Sequence, residues 1–204
     1  MSANAQVLSR FASGAPPDVH LSAHGTPSMP TLEDLALESF RADDSDRYRA
    51  LARRHAASVT VVTVRRRDGA LDGFTATAFL TVSLAPPIVL VSATNDSQAA
   101  AMLSDASSWA VNLLADHQRP IADLFATPHH LRGDAFAKVI WGPDDDGAPL
   151  LQGALGAYSA RVRSLVPAGD HTLCLGDVTA VHLGPDGPAL VYRDRRYGAF
   201  TADG

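Results

Sequence analysis

The sequence predicts a mainly β protein with a few flanking helices. From Ser58 to the end of the chain, β-branched and apolar residues repeatedly alternate with polar ones, which is typical of strands. Only two or three stretches have helical spacing, and most strands are joined by short turns rather than by helices. The spacing therefore does not favour a Rossmann-type series, and we expect a β-barrel with helices packed outside it.

The first part of the chain has a different composition. Residues 1–30 are rich in Ala, Ser, Gly and Pro and lack apolar periodicity, which predicts a flexible arm. Thr31, followed by Glu33 and Asp34, predicts a short capped helix over residues 31–40. A length of 204 residues suits one domain with an extension. We expect an N-terminal extension over residues 1–45 and a domain over residues 46–204.

Charge and cysteine content restrict the partners and the compartment. The chain has 17 Lys and Arg against 22 Asp and Glu, a net charge of -5, which gives no electrostatic basis for binding nucleic acid. Cys174 is the only cysteine, so no internal disulfide forms and a reducing cytoplasm is expected. No signal peptide or long apolar run occurs, so we expect a soluble protein without a membrane segment. Small molecules or other protein chains are the expected ligands.

The predicted elements follow in order. Residues from Asp46 to about Ala57 have helical spacing, and residues 58–67 form a strand. RDGALDG is a tight connection, and Pro86 and Pro87 end the next strand, GFTATAFLTVSL. The later segments are a buried strand at 87–94, a helix at 97–105, a buried strand at 109–115, a helix at 116–126, a turn-rich region at 142–149, and strands at 157–166, 171–183 and 189–193. Pro120 fits the first turns of the helix at 116–126.

GFTATAFLTVSL has two contrasting faces. Its even positions are all apolar and predict a core face: Phe74, Ala76, Ala78, Leu80, Val82 and Leu84. Its odd positions include uncharged hydroxyls: Thr75, Thr77, Thr81 and Ser83. Such a wall suits a planar ligand rimmed with heteroatoms, and Gly73 would let that ligand approach the backbone. The alternative is that threonine is simply favoured in strands.

Two further segments are candidates for ligand contacts. In SATNDSQ, the hydroxyls of Thr94 and Ser97 lie at a helix start, where exposed amides can hold a phosphate; Asp96 opposes this, and an N-cap without a ligand is the alternative. In GDHTLCLGDV, Gly169 makes a turn and His171 stands at a strand entrance. A lone histidine in a turn is more often structural than catalytic. Cys174 in the following strand is expected to be a core residue.

Other chemistries lack their motifs. The sequence has no GxSxG, GxxxxGK[ST] or GxGxxG, which disfavours hydrolases, P-loop NTPases and Rossmann dehydrogenases. His129 and His130 are adjacent, without the i, i+4 spacing that lets two histidines bind one metal, so no metal site is predicted. The three arginines at residues 65–67 lie at a hairpin end, where a run of charge usually faces solvent. Binding of a cofactor 2′-phosphate by these arginines is the less favoured interpretation.

Five segments in this order and spacing resemble the flavin reductase family that serves two-component monooxygenases. They are RHAASVTVVT, GFTATAFLTVSLAPPIVLVSATNDS, WAVNLLADHQRPIADLFA, GDHTLCLGDV and PALVYRDRRYG, from about Tyr48 to Tyr197. The resemblance implies the FMN-binding split β-barrel. It also implies reduction of FMN or FAD by NADH or NADPH, a homodimer, and a separate oxygenase that receives the reduced flavin.

The resemblance assigns site residues. The isoalloxazine and ribityl part of the flavin would meet Asp72, Gly73, Phe74, Thr75, Thr77 and Ala78. The ribityl phosphate would meet Ser92, Thr94, Ser97 and Gln98. Phe125 and Ala126 would close the pocket, and Tyr197 would lie near the flavin or the nucleotide. His171, as the catalytic residue, would sit with Gly169 and Asp170 where the nicotinamide docks.

Three positions depart from the family pattern. Thr77-Ala78 replace a frequent Asn-Ser, Gln98 replaces a frequent basic residue, and Ala122-Asp123 replace frequent arginines. Fewer cations near the phosphate imply looser flavin binding, which suits a reductase that releases its flavin but also suits a member without reductase activity. A flavin- or deazaflavin-dependent enzyme acting on its own bound substrate, and a flavin-binding protein without turnover, remain alternatives.

Overall fold

The computed structural model describes residues 37–201. The predicted arm, residues 1–30, and residues 31–36 of the predicted first helix lie outside the described residues. Residues 37–40 form no helix. Residues from Ala42 onward belong to one compact unit, which carries every helix and strand of the described residues.

The first two of the four α-helices in the described residues begin at capping side chains that the sequence provides. The bounds are α1 Ser45–Arg54, α2 Gln98–Asp105, α3 Arg119–Ala126 and α4 His129–Arg132. Asp44 caps α1 by accepting a hydrogen bond from the backbone N of Arg47 at 3.0 Å. Pro120 lies in the first turn of α3, where its missing N–H costs nothing. The predicted helices over 46–57, 97–105 and 116–126 are thus confirmed, although α1 ends earlier and a short 3-10 turn precedes α3.

Twelve strands make up the rest, which confirms the mainly β prediction. They are β1 Ala57–Ser58, β2 Thr60–Arg66, β3 Leu71–Ala76, β4 Phe79–Leu84, β5 Pro87–Thr94, β6 Ala106–Leu113, β7 Trp141–Pro143, β8 Pro149–Leu151, β9 Gly156–Ala168, β10 His171–Leu183, β11 Ala189–Arg193 and β12 Arg196–Phe200. Seven form an antiparallel sheet in the order β3-β2-β6-β9-β10-β5-β4. The hairpin β7-β8, within the predicted turn-rich region, and the strand β12 were not predicted.

The run GFTATAFLTVSL is two strands, so its prediction as one strand is wrong. β3 pairs with β2 at one edge of the large sheet, whereas β4 pairs with β5 at the other edge. Only Thr77 and Ala78 connect them. Six interstrand spacings of about 4.8 Å would separate the two edges by roughly 29 Å in a flat sheet, far more than so short a link can span. The sheet must therefore curl until its edges approach each other.

A second, three-stranded sheet of β1, β11 and β12 joins the large one through Val59. The Val59 N–H donates to Leu190 O at 2.9 Å, and the Val59 carbonyl accepts from Leu114 N at 3.1 Å. Both bonds lie in a second core that lies between this sheet and α3 and contains Phe125. The curled sheet and the flanking helices thus form one continuous packed body.

The main core lies inside the curled sheet around Trp109, which is fully buried. A side chain at Gly176 on β10 would collide with the Trp109 indole, so this strand position requires glycine. Cys174 is fully buried in the same core, as predicted, and burial raises the pKa of its thiol to about 12. Its thiol is therefore a packing group and not a nucleophile at neutral pH.

The predicted core face of the GFTATAFLTVSL run is only partly buried. Phe74 and Ala76 pack against the main core, but Leu80, Val82 and Leu84 on β4 are 57%, 46% and 93% exposed. β4 is an edge strand: Phe79 at its start packs against the main core, whereas Leu80, Val82 and Leu84 remain exposed among the described residues. The sequence does alternate apolar and polar residues along this run, but the apolar side chains at Leu80, Val82 and Leu84 are not buried within a single chain.

Candidate functional site

His171 stands at the start of β10, directly opposite Thr94 at the end of β5. Its Nδ1 lies 2.7 Å from Asp170 Oδ1, and its Nε2 lies 3.5 Å from Thr94 Oγ1. The His171 side chain is 43% exposed. The hydrogen bond to His171 lowers the pKa of Asp170. The imidazole is thus held from one side, with its Nε2 edge directed toward Thr94.

Asn95, which sequence reasoning did not select, ties this corner together. Its backbone N donates to Asp170 O at 3.0 Å, and its amide Nδ2 donates to Gly169 O at 3.2 Å. Its Oδ1 accepts from Thr172 Oγ1 at 2.8 Å. Gly169 has φ +63°, so the turn before His171 needs a residue that tolerates the left-handed region. These bonds fix the turn against the end of β5.

Ser97 serves as the N-cap of α2. Its Oγ accepts from Ala100 N at 3.2 Å and donates to Thr94 O at 2.6 Å. The structural alternative of a helix cap is therefore realised at this serine, and its hydroxyl is already engaged within the protein. Gln98 points toward the start of α4, where its Oε1 accepts from His129 N at 3.4 Å.

Thr77, Ala78 and Ser92 line an open cleft of about 610 Å³, here named the hydroxyl cleft. Ser92 N donates to Ala78 O at 3.0 Å, which fixes the two walls relative to each other. Its other lining residues come from α1 and the segment after it, from β1, β4 and β5, and from the β11–β12 hairpin: Arg49, Ala52, Arg53, His55, Ala57, Phe79, Leu80, Leu90, Tyr192, Arg193, Asp194 and Arg195. Uncharged hydroxyls thus face a set of guanidinium groups contributed by distant parts of the sequence.

The cations of this cleft escaped the sequence reasoning because that reasoning compared only positions next to the expected phosphate site. The segments DRYRALARR and YRDRRYG are both dense in arginine. Their arginine content was the available signal, but only the fold shows that α1 and the β11–β12 hairpin meet beside Thr77.

Asp72 lies on the inward side of β3 in a buried ion pair. Arg132, with a 3% exposed side chain, donates from its NH2 to Asp72 Oδ1 and, at 2.8 Å, to Gly73 O. His129 Nε2 lies 3.8 Å from Asp72 Oδ2. Sequence reasoning selected neither Arg132 nor His129 for this role. The observed partner of the Asp72 carboxylate is therefore a guanidinium of the protein.

Gly73 and Phe125 pack closely against each other. A Cβ at Gly73 would lie 2.8 Å from Val62 O and 3.1 Å from Phe125 Cε1, so this glycine is explained by helix–strand packing. Phe125 is only 2% exposed and packs on Phe136 with ring centroids 5.4 Å apart. Phe125 therefore belongs to the second core in this structure.

Thr75 also faces the protein. Its hydroxyl donates to Ala122 O in α3 at 2.6 Å, and Phe74 packs on the main core. Ala126, by contrast, is exposed at the end of α3. Apart from Tyr197, the predicted site residues thus fall into two groups: an accessible group and a buried group. The accessible group comprises Thr77, Ala78, Ser92, Thr94, Ser97, Gln98, Ala126, Gly169, Asp170 and His171; the buried or packed group comprises Asp72, Gly73, Phe74, Thr75 and Phe125.

Tyr197 belongs to a small aromatic cluster behind the hydroxyl cleft. Its ring lies 5.2 Å from that of Tyr192, and the Arg119 guanidinium sits 5.2 Å from its centroid. Burial, followed by the nearby Asp123 carboxylate, raises the pKa of Tyr197. Tyr192, which was not selected from the sequence, is the ring that lines the cleft.

Two classes of feature are missing from the part of the chain that the structure describes. No three His, Cys, Asp or Glu side chains of residues 37–201 cluster as metal ligands. No helix within the same range has the length and apolar character needed to cross a membrane.

The chain is similar to proteins of known activity over most of its length. The NADH:FMN oxidoreductase of Rhodococcus qingshengii is 38% identical over 182 residues, covering 87% of this chain and 92% of that protein. The reductase component of 4-hydroxyphenylacetate 3-monooxygenase from Thermus thermophilus is 35% identical over 152 residues, covering 72% and 91%. Among solved structures, the NADH:FAD oxidoreductase of Streptomyces globisporus, in complex with NAD and FAD fragments, matches with a TM-score of 0.73 and 30% identity, covering 82% and 99%.

These matches confirm the family suggested by the sequence motifs. The fold is the split β-barrel of flavin reductases, with a curled sheet that does not close. A family model described as the flavin reductase like domain matches residues 52–201. The chain belongs to the flavin reductase like domain family.

Proposed function

We propose that this protein is an NAD(P)H:flavin oxidoreductase that reduces FMN or FAD and supplies the reduced flavin to a partner monooxygenase. Family membership and the hydroxyl cleft carry the proposal together. The Thermus relative is itself a reductase component of a monooxygenase. The Rhodococcus and Streptomyces relatives are described with FMN and FAD, respectively, so both flavins occur within the family.

The hydroxyl cleft fits a flavin. Thr77 and Ser92 supply hydroxyl groups on an uncharged wall, and Tyr192 supplies an aromatic edge. Arg49, Arg53 and Arg195 supply positive charge for a phosphate on the opposite side. A ring system rimmed with N and O atoms and carrying a phosphate tail matches this pairing of neutral donors and cations.

When bound, the flavin supplies the redox chemistry by accepting a hydride from the nicotinamide C4. The protein positions the two reactants and excludes water between them. Such positioning contributes up to about 7–11 kcal/mol in ideal cases. The remaining steps concern groups of the chain that orient the nicotinamide.

His171 is the group we assign to the nicotinamide. With Asp170 accepting from the Nδ1–H at 2.7 Å, the neutral imidazole keeps Nε2 as an acceptor. That nitrogen can receive a hydrogen bond from the carboxamide N–H of the nicotinamide. Asn95 supports this geometry by holding the Gly169-Asp170 turn in place. Asp170 is thus a positioning residue, and His171 is the residue that contacts the substrate.

We assign the apolar face of β4 to a homodimer contact. Leu80, Val82 and Leu84 are exposed on β4, which pairs only with β5 among the described residues, and Leu84 is 93% exposed; a β-bulge between Thr81 and Ser83 interrupts the strand. An exposed apolar edge strand is a liability in a monomer. A second copy of the chain covers it in this proposal. β4 follows directly on Thr77 and Ala78, so such a contact would lie next to the hydroxyl cleft.

Cytoplasmic location completes the proposal. The single cysteine is buried and unpaired, as suits a reducing compartment that holds NAD(P)H. The division between an extension over residues 1–45 and a catalytic domain over residues 46–204 is likewise proposed, with the family match beginning at residue 52 in its support.

The deciding experiment mixes purified protein, NADH or NADPH, and FMN or FAD without oxygen. Loss of the oxidised flavin's visible absorbance at a catalytic rate is expected, and its absence with all four pairs would contradict the proposal. Steady-state oxidation with free flavin in excess separates the alternatives. Only a reductase shows saturable dependence on added flavin, whereas a protein acting on its own bound substrate or binding flavin passively does not.

A further inference from the structure

A second cleft, beside the hydroxyl cleft, is lined almost entirely by arginine. It measures about 540 Å³, and we name it the arginine cleft; its lining residues are Ala50, Arg53, Arg54, Arg193, Asp194 and Arg196. Ala50, Arg53 and Arg54 come from α1, and Arg193, Asp194 and Arg196 come from the β11–β12 hairpin. Two elements far apart in sequence thus bring four guanidinium groups to one place.

Helix stability explains only part of this charge. Arg53 and Arg54 in the last turn of α1 interact favourably with the negative end of the helix dipole. Arg193 and Arg196 belong to a hairpin and have no such reason to lie there. Asp194 is the only carboxylate lining the cleft, and none of the four arginines makes an ion pair within residues 37–201. An anion bound among them would be attracted by all four guanidinium groups.

The hairpin that supplies Arg193 and Arg196 is held in place in an uncommon conformation. Its two loop residues, Asp194 and Arg195, have φ values of 48° and 60°. Hairpins of this type prefer Asn-Gly, so a left-handed arginine is unfavourable at this position. Asp194 N donates to Arg53 O at 2.9 Å, which fixes the hairpin against the end of α1. The loop of Asp194 and Arg195 therefore has a strained backbone and holds the arginines of the hairpin next to those of α1. Strain of this kind is typical of functional sites.

The two clefts adjoin each other. Arg53, Arg193 and Asp194 line both of them, so a ligand long enough to extend past these residues would reach from the hydroxyl cleft into the arginine cleft. An FMN-sized molecule has one phosphate. A ligand that fills both clefts needs further negative charge beyond its first phosphate, which is the property of an adenine dinucleotide.

We propose that the arginine cleft binds the diphosphate of an adenine dinucleotide. The inference rests on the proposed function, because it extends the flavin site of the hydroxyl cleft. FAD and NAD(P)H share this diphosphate. The arginine cleft adjoins the hydroxyl cleft, in which Thr77 and Ser92 line the proposed flavin site. We therefore assign the diphosphate to FAD, and we expect the chain to prefer FAD to FMN.

The test compares two double variants in steady-state NADH oxidation. R54A/R196A removes two arginines that line the arginine cleft but not the hydroxyl cleft. R67A/R163A removes the same charge from exposed positions that line neither cleft. We expect R54A/R196A to raise KM for FAD about tenfold, equivalent to about 1.4 kcal/mol, with KM for FMN changed less than twofold. The control keeps both KM values.

The outcomes separate the sources of the diphosphate. A selective rise in KM for FAD supports the flavin, whereas a selective rise in KM for NADH, measured with FMN, assigns the cleft to the nicotinamide dinucleotide instead. Equal KM values in the two double variants would overturn the inference. Calorimetric binding of ADP to the full chain gives a readout without turnover: we expect about tenfold weaker binding by R54A/R196A than by R67A/R163A. Unchanged ADP affinity would reject the diphosphate site, whether or not the protein reduces flavin. Absence of flavin reduction, by itself, would reject only the proposed function.

Discussion

Arg132→Ala should be among the most destabilising single changes in this fold. The Arg132 guanidinium binds the Asp72 carboxylate and also donates to three carbonyls: Gly73 O at 2.8 Å, Phe125 O at 3.3 Å and Thr127 O at 3.4 Å. The side chains of Arg132 and Asp72 are only 3% and 9% exposed. Removing the arginine leaves a buried carboxylate without its cation, a change that typically costs about 3–5 kcal/mol.

The measurement is denaturant unfolding, with thermal unfolding as a second readout. For a chain of this size, about 3–5 kcal/mol corresponds to a drop in Tm of roughly 6 to 20 °C. Arg163→Ala is the matched control, because it breaks the exposed pair with Asp177, whose N···O distance is 2.7 Å. That pair is about half exposed on both sides, and its loss should cost less than about 1 kcal/mol. Equal losses for the two variants would refute the assignment of a buried, partner-dependent charge.

Three other predictions concern the site, the assembly and the core. His171→Ala should lower kcat/KM for NADH about tenfold without loss of stability, whereas His182→Ala on the same strand should leave kcat/KM unchanged. Undiminished NADH oxidation by His171→Ala would show that His171 does not contact the nicotinamide. Leu84→Glu should convert the proposed homodimer to monomers in light scattering, whereas Leu131→Glu, at a site 69% exposed, should leave the mass unchanged; a monomeric wild type would reject the dimer. With its pKa raised to about 12, Cys174 should resist iodoacetamide at pH 8 until the protein unfolds, and labelling of the folded protein would contradict its burial.

Local signals predicted most of the secondary structure. The Ser97 cap, Pro120 in the first turn of α3 and the apolar run of β5 each depend on neighbours within a few residues, and each element forms where predicted. The GFTATAFLTVSL run failed because alternation reports only that residues are extended. It does not report which strand they pair with, so a change of partner at Thr77 and Ala78 leaves no trace in the pattern.

The candidate site was only partly predictable for a related reason. His171 and Thr94 were selected separately, and the register of β5 and β10 places them opposite each other. Arg53 and Arg193 were missed because their importance comes from the meeting of α1 with a hairpin about 140 residues later, a distance no local pattern encodes. The resemblance to a family cannot distinguish Phe125 as a core residue from Phe125 as a pocket residue, since both uses favour an aromatic ring.

The link of Thr77 and Ala78 also limits how far the barrel can open. Three Cα–Cα steps separate Ala76, the last residue of one sheet edge, from Phe79, the first residue of the other. At about 3.8 Å for each step, these two Cα atoms can never lie more than about 11 Å apart. The gap at this end is therefore set by covalent bonds, and admission of a larger molecule must come from movement elsewhere along the two edges.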